Sequence, residues 1–349
     1  MKILYGVQAT GNGHITRARA MAPFLKAAGL DVTYLFSGRA REDFFDMEAF
    51  GDFKVHRGLT FQTADGHIQP IKTFQQNSVL TLLNDIRTLN TKEYDLVLTD
   101  FEPITAWAAR RQKTPIIGVG HQYAFGQDIP QAGKTWLGQT VLKWFAPASK
   151  GLGVHWHHFG HAILPPIIHT ESQQTEVETR TVLVYLPFEN PKTVIEQLYK
   201  IEGYQFYLHC KGIDPGLYQN VEVFPFSRDG FQHNLARSES VLCNAGFELV
   251  SEALQFGKRI MVKPLAGQME QASNAMALEQ LKFAWVMEDL DWDKVRRWLA
   301  QSQPVQVQYP NVAKAIVEWI ARGEWQATED LVSDLWGQVH SPQYQDLFA

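Results

Sequence analysis

Cysteine is nearly missing from this chain. Cys210 and Cys243 are the two among 349 residues, too few for a disulfide scaffold and without metal-ligand spacing, which fits a reducing compartment. Both read as small buried hydrophobes. No run of about 18 apolar residues occurs, so no transmembrane helix is expected. Blocks of like charge and Pro/Gly/Ser tracts are also lacking. With 45% hydrophobic and 20% charged residues, the composition is that of a folded globular chain rather than a disordered one. A formal net charge of -5 and a pI near 6.2 lack the basic footprint that displaces counterions from phosphates, so no nucleic-acid partner is expected.

At roughly 150 residues per domain, the length suggests two domains or one large α/β domain. The opening MKILYGVQATGNGH reads as a first strand rather than a signal peptide, because one lysine precedes a short apolar run that ends in glycines. Short β-branched or apolar runs recur at residues 2–7, 31–36, 95–99 and 115–119, with helical stretches between several of them. That alternation implies a parallel sheet with βαβ crossovers. In the first helix Ile15, Ala18, Ala22 and Leu25 share one face, Gly29 supplies the stop, and Pro23 is expected to bend or shift it. The prolines and polar stretch from Pro165 to Arg180 mark the best linker. Strand-like runs then restart at 181–188, 204–210, 221–226, 240–244 and 258–263. FELVSEALQFG and QMEQASNAMALEQL read as helices, and WDKVRRWLAQ, NVAKAIVEWIAR and EDLVSDLWGQV as amphipathic segments of the tail. The expected division is a first domain over 1–165, a linker over 166–180, a second domain over 181–325 and a helical tail over 326–349.

Two segments carry chemistry. After the first strand, Gly11, Asn12, Gly13 and His14 form a turn into a helix, where missing side chains let the backbone bend and approach a ligand. A dinucleotide fingerprint would need a third glycine, and the second strand ends in Ser37 and Gly38 rather than an acid, so NAD binding is not expected. His14 stands where a proton can be taken near neutral pH. Asp100 ends another strand. If the two strands are neighbours, its carboxylate holds the His14 ring in one tautomer. The bland alternative, with His14 capping the turn and Asp100 capping the helix at FEPITAW, stays open.

The second segment is CNAGFELVSEAL: a strand, Gly246, then a helix from Phe247 whose free N–H groups and positive dipole end suit a diphosphate. Glu252 lies further along the helix, placed to accept from ribose hydroxyls. Glu270 and Gln271 open the next helix, with groups that suit sugar hydroxyls. Arg228, in the SRDG turn, is a candidate phosphate partner or a solvated turn residue.

The order and spacing of GNGH, TDFEP, NAGFELVSEAL and PLAGQMEQASNA resemble nucleotide-sugar glycosyltransferases of the GT-B fold over most of the chain. They are similar to the families of the UDP-dependent glycosyltransferases and the lipid II N-acetylglucosaminyltransferase. The resemblance implies an α/β protein of two Rossmann-like domains facing across a cleft. The first would bind the acceptor and the second the donor. It also implies a base dyad at His14 and Asp100 beside the acceptor-side loop of Gly11 and Gly13. Donor contacts carry over to Asn244, Gly246, Phe247, Glu252, Glu270, Gln271 and Asn274. Asn244 and Glu248 stand where many relatives have His and a small polar residue. LPFENP replaces a Gly/Ser-rich turn, and the connection from Pro264 to Glu270 is longer than in the plant-type enzymes.

The chemistry implied is inverting transfer from a nucleotide-diphosphate sugar, with UDP the expected nucleotide, to an acceptor hydroxyl of a polysaccharide, glycolipid or cell-envelope precursor. His14 takes the proton and Asp100 steadies the imidazolium. The helix at Gly246 stabilises the leaving diphosphate, so neither cofactor nor metal is expected. Two further readings remain: a nucleotide-sugar 2-epimerase using carboxylates such as Glu102, and a non-catalytic nucleotide-sugar-binding protein. DLDWD lacks the glycine and glutamate of a calcium loop and reads as a cap on the helix after it. HWHHFGH reads as a histidine-rich strand and turn rather than a zinc site. KTWLGQTVLKWF presents an apolar face with lysines. Packing in the acceptor domain is the preferred reading, and contact with a membrane or a lipid-linked acceptor the alternative. A cytoplasmic location is expected, peripheral at the inner membrane face if the acceptor is lipid-linked.

Overall fold

The structure, a computed structural model, describes all residues except 59–62, 65–66, 69–78, 134–139, 141–143, 169–174, 324 and 344–349. Its first sheet contains β1 (Lys2–Gln8), β2 (Asp31–Ser37), β3 (Lys54–His56), β4 (Leu96–Asp100), β5 (Ile116–Gly120) and β6 (Lys150–Gly153). They run in the order β3-β2-β1-β4-β5-β6, all parallel. The short β3 and β6, KVH and KGLG, carry too few apolar residues to stand out in the sequence. Buried strands such as LVLTD, with all five residues inside, read clearly because both faces are covered by helices. Those helices include α1 (Asn12–Ala27) and α3 (Pro103–Gln112), while α2 (Val79–Thr88) packs on α3. α1 continues through Pro23.

The order reverses between β1 and β4, so their crossovers leave on opposite sides and a crevice opens at the carboxyl ends of the strands. Val7 is level with Asp100 across that pair. The turn at Gly11 to His14 and the end of β4 therefore border the same gap.

The second sheet repeats the arrangement. It contains β7 (Glu178–Tyr185), β8 (Gln205–His209), β9 (Gly216–Tyr218), β10 (Val221–Phe224), β11 (Ser238–Asn244), β12 (Arg259–Lys263) and β13 (Trp285–Val286), in the order β9-β10-β8-β7-β11-β12-β13. β9 alone is antiparallel to its neighbour among these pairs. The helices are α4 (Pro191–Leu198), α5 (Arg228–Arg237), α6 (Phe247–Gln255), α7 (Met269–Gln280) and α8 (Trp292–Gln301). Here the reversal lies between β7 and β11, and Gly246 follows β11.

β7 starts at Glu178, inside the stretch expected as linker, because Glu178 is level with Ser238 of β11. Helix α9 (Val312–Arg322) falls in the span expected for the second domain, yet it packs on α1 of the first. Helix α10 (Glu329–Trp336) follows, and Trp336 Nε1 donates to the Ile163 carbonyl at 2.6 Å. The tail thus crosses back and ties the lobes together. One apolar cluster runs from Ile3 and Met21 through Trp156 and Phe247 to Val262 and Ile316, so the lobes share a core. No helix among the described residues is long and apolar enough to cross a membrane. Most of KTWLGQTVLKWF lies outside the described residues; Trp144, beyond that part, is 43% exposed and stacks on Trp107.

Candidate active site between the lobes

His14 occupies the first turn of α1, whose cap is Gly11. A side chain at Gly11 would meet open space, whereas one at Gly13 would come within 3.0 Å of Glu248 Cγ on α6. Gly13 is what lets the two helix starts abut across the cleft.

His14 Nδ1 lies 2.7 Å from Asp100 Oδ1. With Nδ1–H donating to the carboxylate, Nε2 is the ring's basic nitrogen. Asp100 is fully buried while the His14 side chain is 15% exposed, as a group that must meet a ligand requires. Arg17, one turn along α1, grips Asp100 with Nε at 2.7 Å from Oδ2 and Nη2 at 2.7 Å from Oδ1. Burial alone would raise the Asp100 carboxyl, but Arg17 and His14 outweigh it and hold it below the usual range. Gly120 makes room: a Cβ there would lie 3.0 Å from Asp100 Oδ1 and 3.2 Å from Arg17 Nη2.

Asp100 does not cap the helix after it. Glu102 does, accepting from Ile104 N at 2.9 Å and Thr105 N at 2.7 Å, with further bonds from Ser37 and Thr105 hydroxyls at 2.7 Å. Proline at the first helical position completes a standard helix start. Glu102 is wholly buried and its oxygens are committed, so it is not available to a sugar.

On the other lobe, Gly246 caps α6 with no side-chain hydrogen bond, and a Cβ there would meet nothing within 4 Å. The first-turn amides of α6 are thus left uncapped by their own side chains. By contrast, Asn190 caps α4 by accepting from Lys192 N at 3.0 Å. Glu189 before it forms a buried ion pair with Lys263 at 2.7 Å, so the LPFENP turn is filled by its own polar groups. Glu252 accepts from Gln232 Nε2 at 3.1 and 3.2 Å, and burial pushes its carboxyl up to about 7. Asn244 Nδ2 donates to the Lys263 carbonyl at 2.9 Å. Gln271 Oε1 accepts from Leu265 N at 2.8 Å. The Arg228 amide donates to Asp46 Oδ2 at 2.9 Å, beside the Ser227 cap of α5.

Several of these groups reach across the cleft. Arg17 Nη1 pairs with Glu248. Asn274 Oδ1 lies 2.7 Å from His121 Nε2, while Asn274 Nδ2 donates to the Ala245 carbonyl at 2.9 Å. Gln122 Nε2 donates to Glu270 at 3.1 Å, and Trp156 Nε1 to Ser251 at 2.8 Å. Gln122 Oε1, Asn244 Oδ1 and Glu248 Oε2 are among the buried acceptors without a hydrogen-bond partner. A cavity of about 390 Å³ opens at the cleft edge, lined by Glu42 and Phe44 of the first lobe and Lys211, Ile213, Pro225 and Phe226 of the second.

The sequence profile described as Glycosyl transferase family 1 matches residues 1–302. The chain belongs to that family. It is a glycosyltransferase, and its activity is nucleotide-sugar glycosyl transfer. No curated protein matches it. The solved structures it resembles are GT-B glycosyltransferases at low identity, a likeness of fold. The glycotransferase of kitacinnamycin is 15% identical with a TM-score of 0.58, over 97% of this chain and 99% of that one. MurG of Acinetobacter baumannii is 14% identical with a TM-score of 0.53, again over 97% and 99%. The glycosyltransferase VinC, solved in complex with dTDP, is 15% identical with a TM-score of 0.53, over 96% and 98%.

Sequence reasoning missed Arg17, His121 and Gln122 of this glycosyltransferase, and registered Glu248 only as a departure from pattern. Arg17 carried a signal, since i and i+3 on a helix share a face with His14. His121 carried one too, directly after the apolar run of β5. The histidines of HWHHFGH pack with aromatics: His155 is buried against Trp156 and Phe159, and His157 stacks on His158. Asp291 caps α8, accepting from Lys294 N at 2.9 Å.

Proposed function

We propose that this glycosyltransferase works by inversion without a bound metal, using His14 as base and Asp100 as its partner. The observation that carries the reading is the 2.7 Å bond from His14 Nδ1 to a buried Asp100, set at the first lobe's crevice against the uncapped start of α6. His14 Nε2 takes the proton of an acceptor hydroxyl as its oxygen attacks the anomeric carbon. The bond to the nucleoside diphosphate breaks with its electron pair on the departing phosphate. A single displacement of this kind inverts the centre. Charge grows on the diphosphate, and the amides and positive dipole end at Gly246 and Phe247 face that growth without reorganising.

The donor lies mainly on the second lobe. Glu252 accepts from the ribose, and the cavity beside Phe226 takes the base, with UDP the expected nucleotide. The unpartnered oxygens of Gln122 and Asn244 are acceptors suited to sugar hydroxyls, since buried acceptors in native sites find partners. Glu270, bonded to Gln122, borders the sugar, and Arg228 the nucleotide. Gln271 and Asn274, whose side chains are spent on internal bonds, position the loop and helix rather than touching donor. The acceptor is a hydroxyl of a polysaccharide, glycolipid or cell-envelope precursor. A lipid-linked acceptor would place the enzyme at the cytoplasmic face of a membrane.

A thermal-shift screen of UDP-, dTDP- and GDP-sugars tests the reading. A ligand bound by the native state alone stabilises it by RT ln(1 + [L]/Kd), so one nucleotide class should raise Tm in proportion to the logarithm of its concentration. No shift with any of them would overturn it.

A further inference from the structure

The carboxylate of Asp100 is shared. His14 Nδ1 and Arg17 Nη2 both lie 2.7 Å from Oδ1, and Arg17 Nε lies 2.7 Å from Oδ2. The remaining guanidinium nitrogen, Nη1, is paired with Glu248 Oε1 of the opposite lobe. Arg17 is 1% exposed and Asp100 not at all, so water screens these charges weakly.

The charge sum decides what the imidazole feels. Asp100 and Arg17 cancel, and a dyad acid already neutralised by a guanidinium does little to stabilise an imidazolium. Adding an ionised Glu248 restores a net charge of minus one beside the ring. Glu248 sits on the donor lobe, whose helix α6 contacts α1, and a Cβ at Gly13 would press on the Glu248 Cγ at 3.0 Å. We infer that Glu248, acting through Arg17, sets the proton affinity of the His14–Asp100 dyad, so that the base reaches full strength only when the donor lobe is docked. Arg17 and Glu248 are positioning residues, and the inference rests on the reading of His14 as the base.

The groups facing Glu248 are Arg17 of α1, Asp100 of β4, Glu252 of its own helix and Glu270 of α7; His14 and Tyr5 face the same Arg17–Asp100 pair. Burial pushes the Glu248 carboxyl up to about 8, against the pull of Arg17 and with help from Asp100. For Arg17 the order is reversed: burial opposes its charge, but Asp100 and Glu248 outweigh it and raise its pKa. The guanidinium therefore stays charged, and Glu248 is the member whose charge can be withdrawn.

The test is the pH–rate profile of transfer at saturating donor for the wild type, Glu248→Gln, Glu248→Asp and Arg17→Gln. Glu248→Gln removes a negative charge. Because Glu248 titrates at about 8, its charge is present only above that pH, so the wild type should show a further rise in kcat between about pH 7 and 9 that Glu248→Gln lacks. Arg17→Gln removes a positive charge and should move the acid limb up. Glu248→Asp keeps the charge and should restore the wild-type rise, which keeps the test decisive if Arg17→Gln fails to fold. Variants that lose stability or raise KM while every profile keeps the wild-type shape would show a mere bolt between lobes and overturn the inference. His14→Ala is run alongside: if its turnover is lost while the other profiles stay alike, only this inference fails, and if its turnover persists, the base reading fails as well.

Discussion

The imidazole of His121 lies flat on the ring of Phe247, their centroids 4.0 Å apart and their planes 10° from parallel. One ring closes the first lobe after β5 and the other opens α6 of the second. The same imidazole contacts Asn274 at 2.7 Å and, through its other nitrogen, the Val154 carbonyl at 2.9 Å, and burial holds His121 below the ordinary histidine range. Asn274→Ala would leave a buried nitrogen and the Ala245 carbonyl without partners. A loss of about 2–4 kcal/mol is expected from two orphaned groups at about 1–3 each, part of it relieved by water. Denaturant unfolding monitored in both lobes would measure it, and a loss below about 0.5 kcal/mol would contradict the contact.

Glu252 accepts from a single glutamine amide, and the proposal gives its carboxylate to the donor's ribose. Glu252→Ala should therefore erase the thermal shift produced by the nucleotide sugar that stabilises the wild type. A retained shift would remove Glu252 from the ribose.

The same carboxyl gives a pH signature. Its folded value of about 7 stands above the ordinary 4.5, so the native state binds the proton more tightly and stability falls as pH rises between these values. At about 1.4 kcal/mol per unit the loss is at most about 3 kcal/mol. Glu248, raised to about 8, adds to the decline in the same sense. Tm followed from pH 5 to 8.5, a range of roughly one histidine-to-lysine interval, should slope downward in the wild type and less steeply in Glu252→Gln. Equal slopes would contradict the assignment.

Glu102 makes the opposite case. Glu102→Ala removes a cap and strands the Ser37 and Thr105 hydroxyls. It should cost about 1–3 kcal/mol of stability while leaving donor affinity unchanged. A loss of donor binding with stability intact would return this carboxylate to the sugar site, where the epimerase reading had placed it.

What the sequence made legible follows from range. The strand, glycine turn and helix around His14, and again around Gly246, are local, because a turn glycine and a helical apolar stripe lie within about 15 residues of each other. WDKVRRWLAQ reads directly as α8 because its cap, Asp291, stands just before it. The meeting of His14 with Asp100 needed the strand order, which puts β4 beside β1 rather than beside β3. Arg17 with Glu248, and His121 with Asn274, are contacts between lobes that no periodicity records. Glu102 misled for a different reason: a carboxylate beside a candidate dyad looks chemical, but the Pro103 after it was the sign of a helix start.

The central claim is that His14 deprotonates the acceptor at a site whose donor half is independent of it. The most direct measurement is acceptor-dependent release of nucleoside diphosphate by the wild type and His14→Ala, each with its donor Kd taken by calorimetry. The account predicts a fall in turnover of about a hundred- to ten-thousand-fold with donor affinity unchanged. Equal release from both proteins, or a donor that no longer binds the variant, would contradict it.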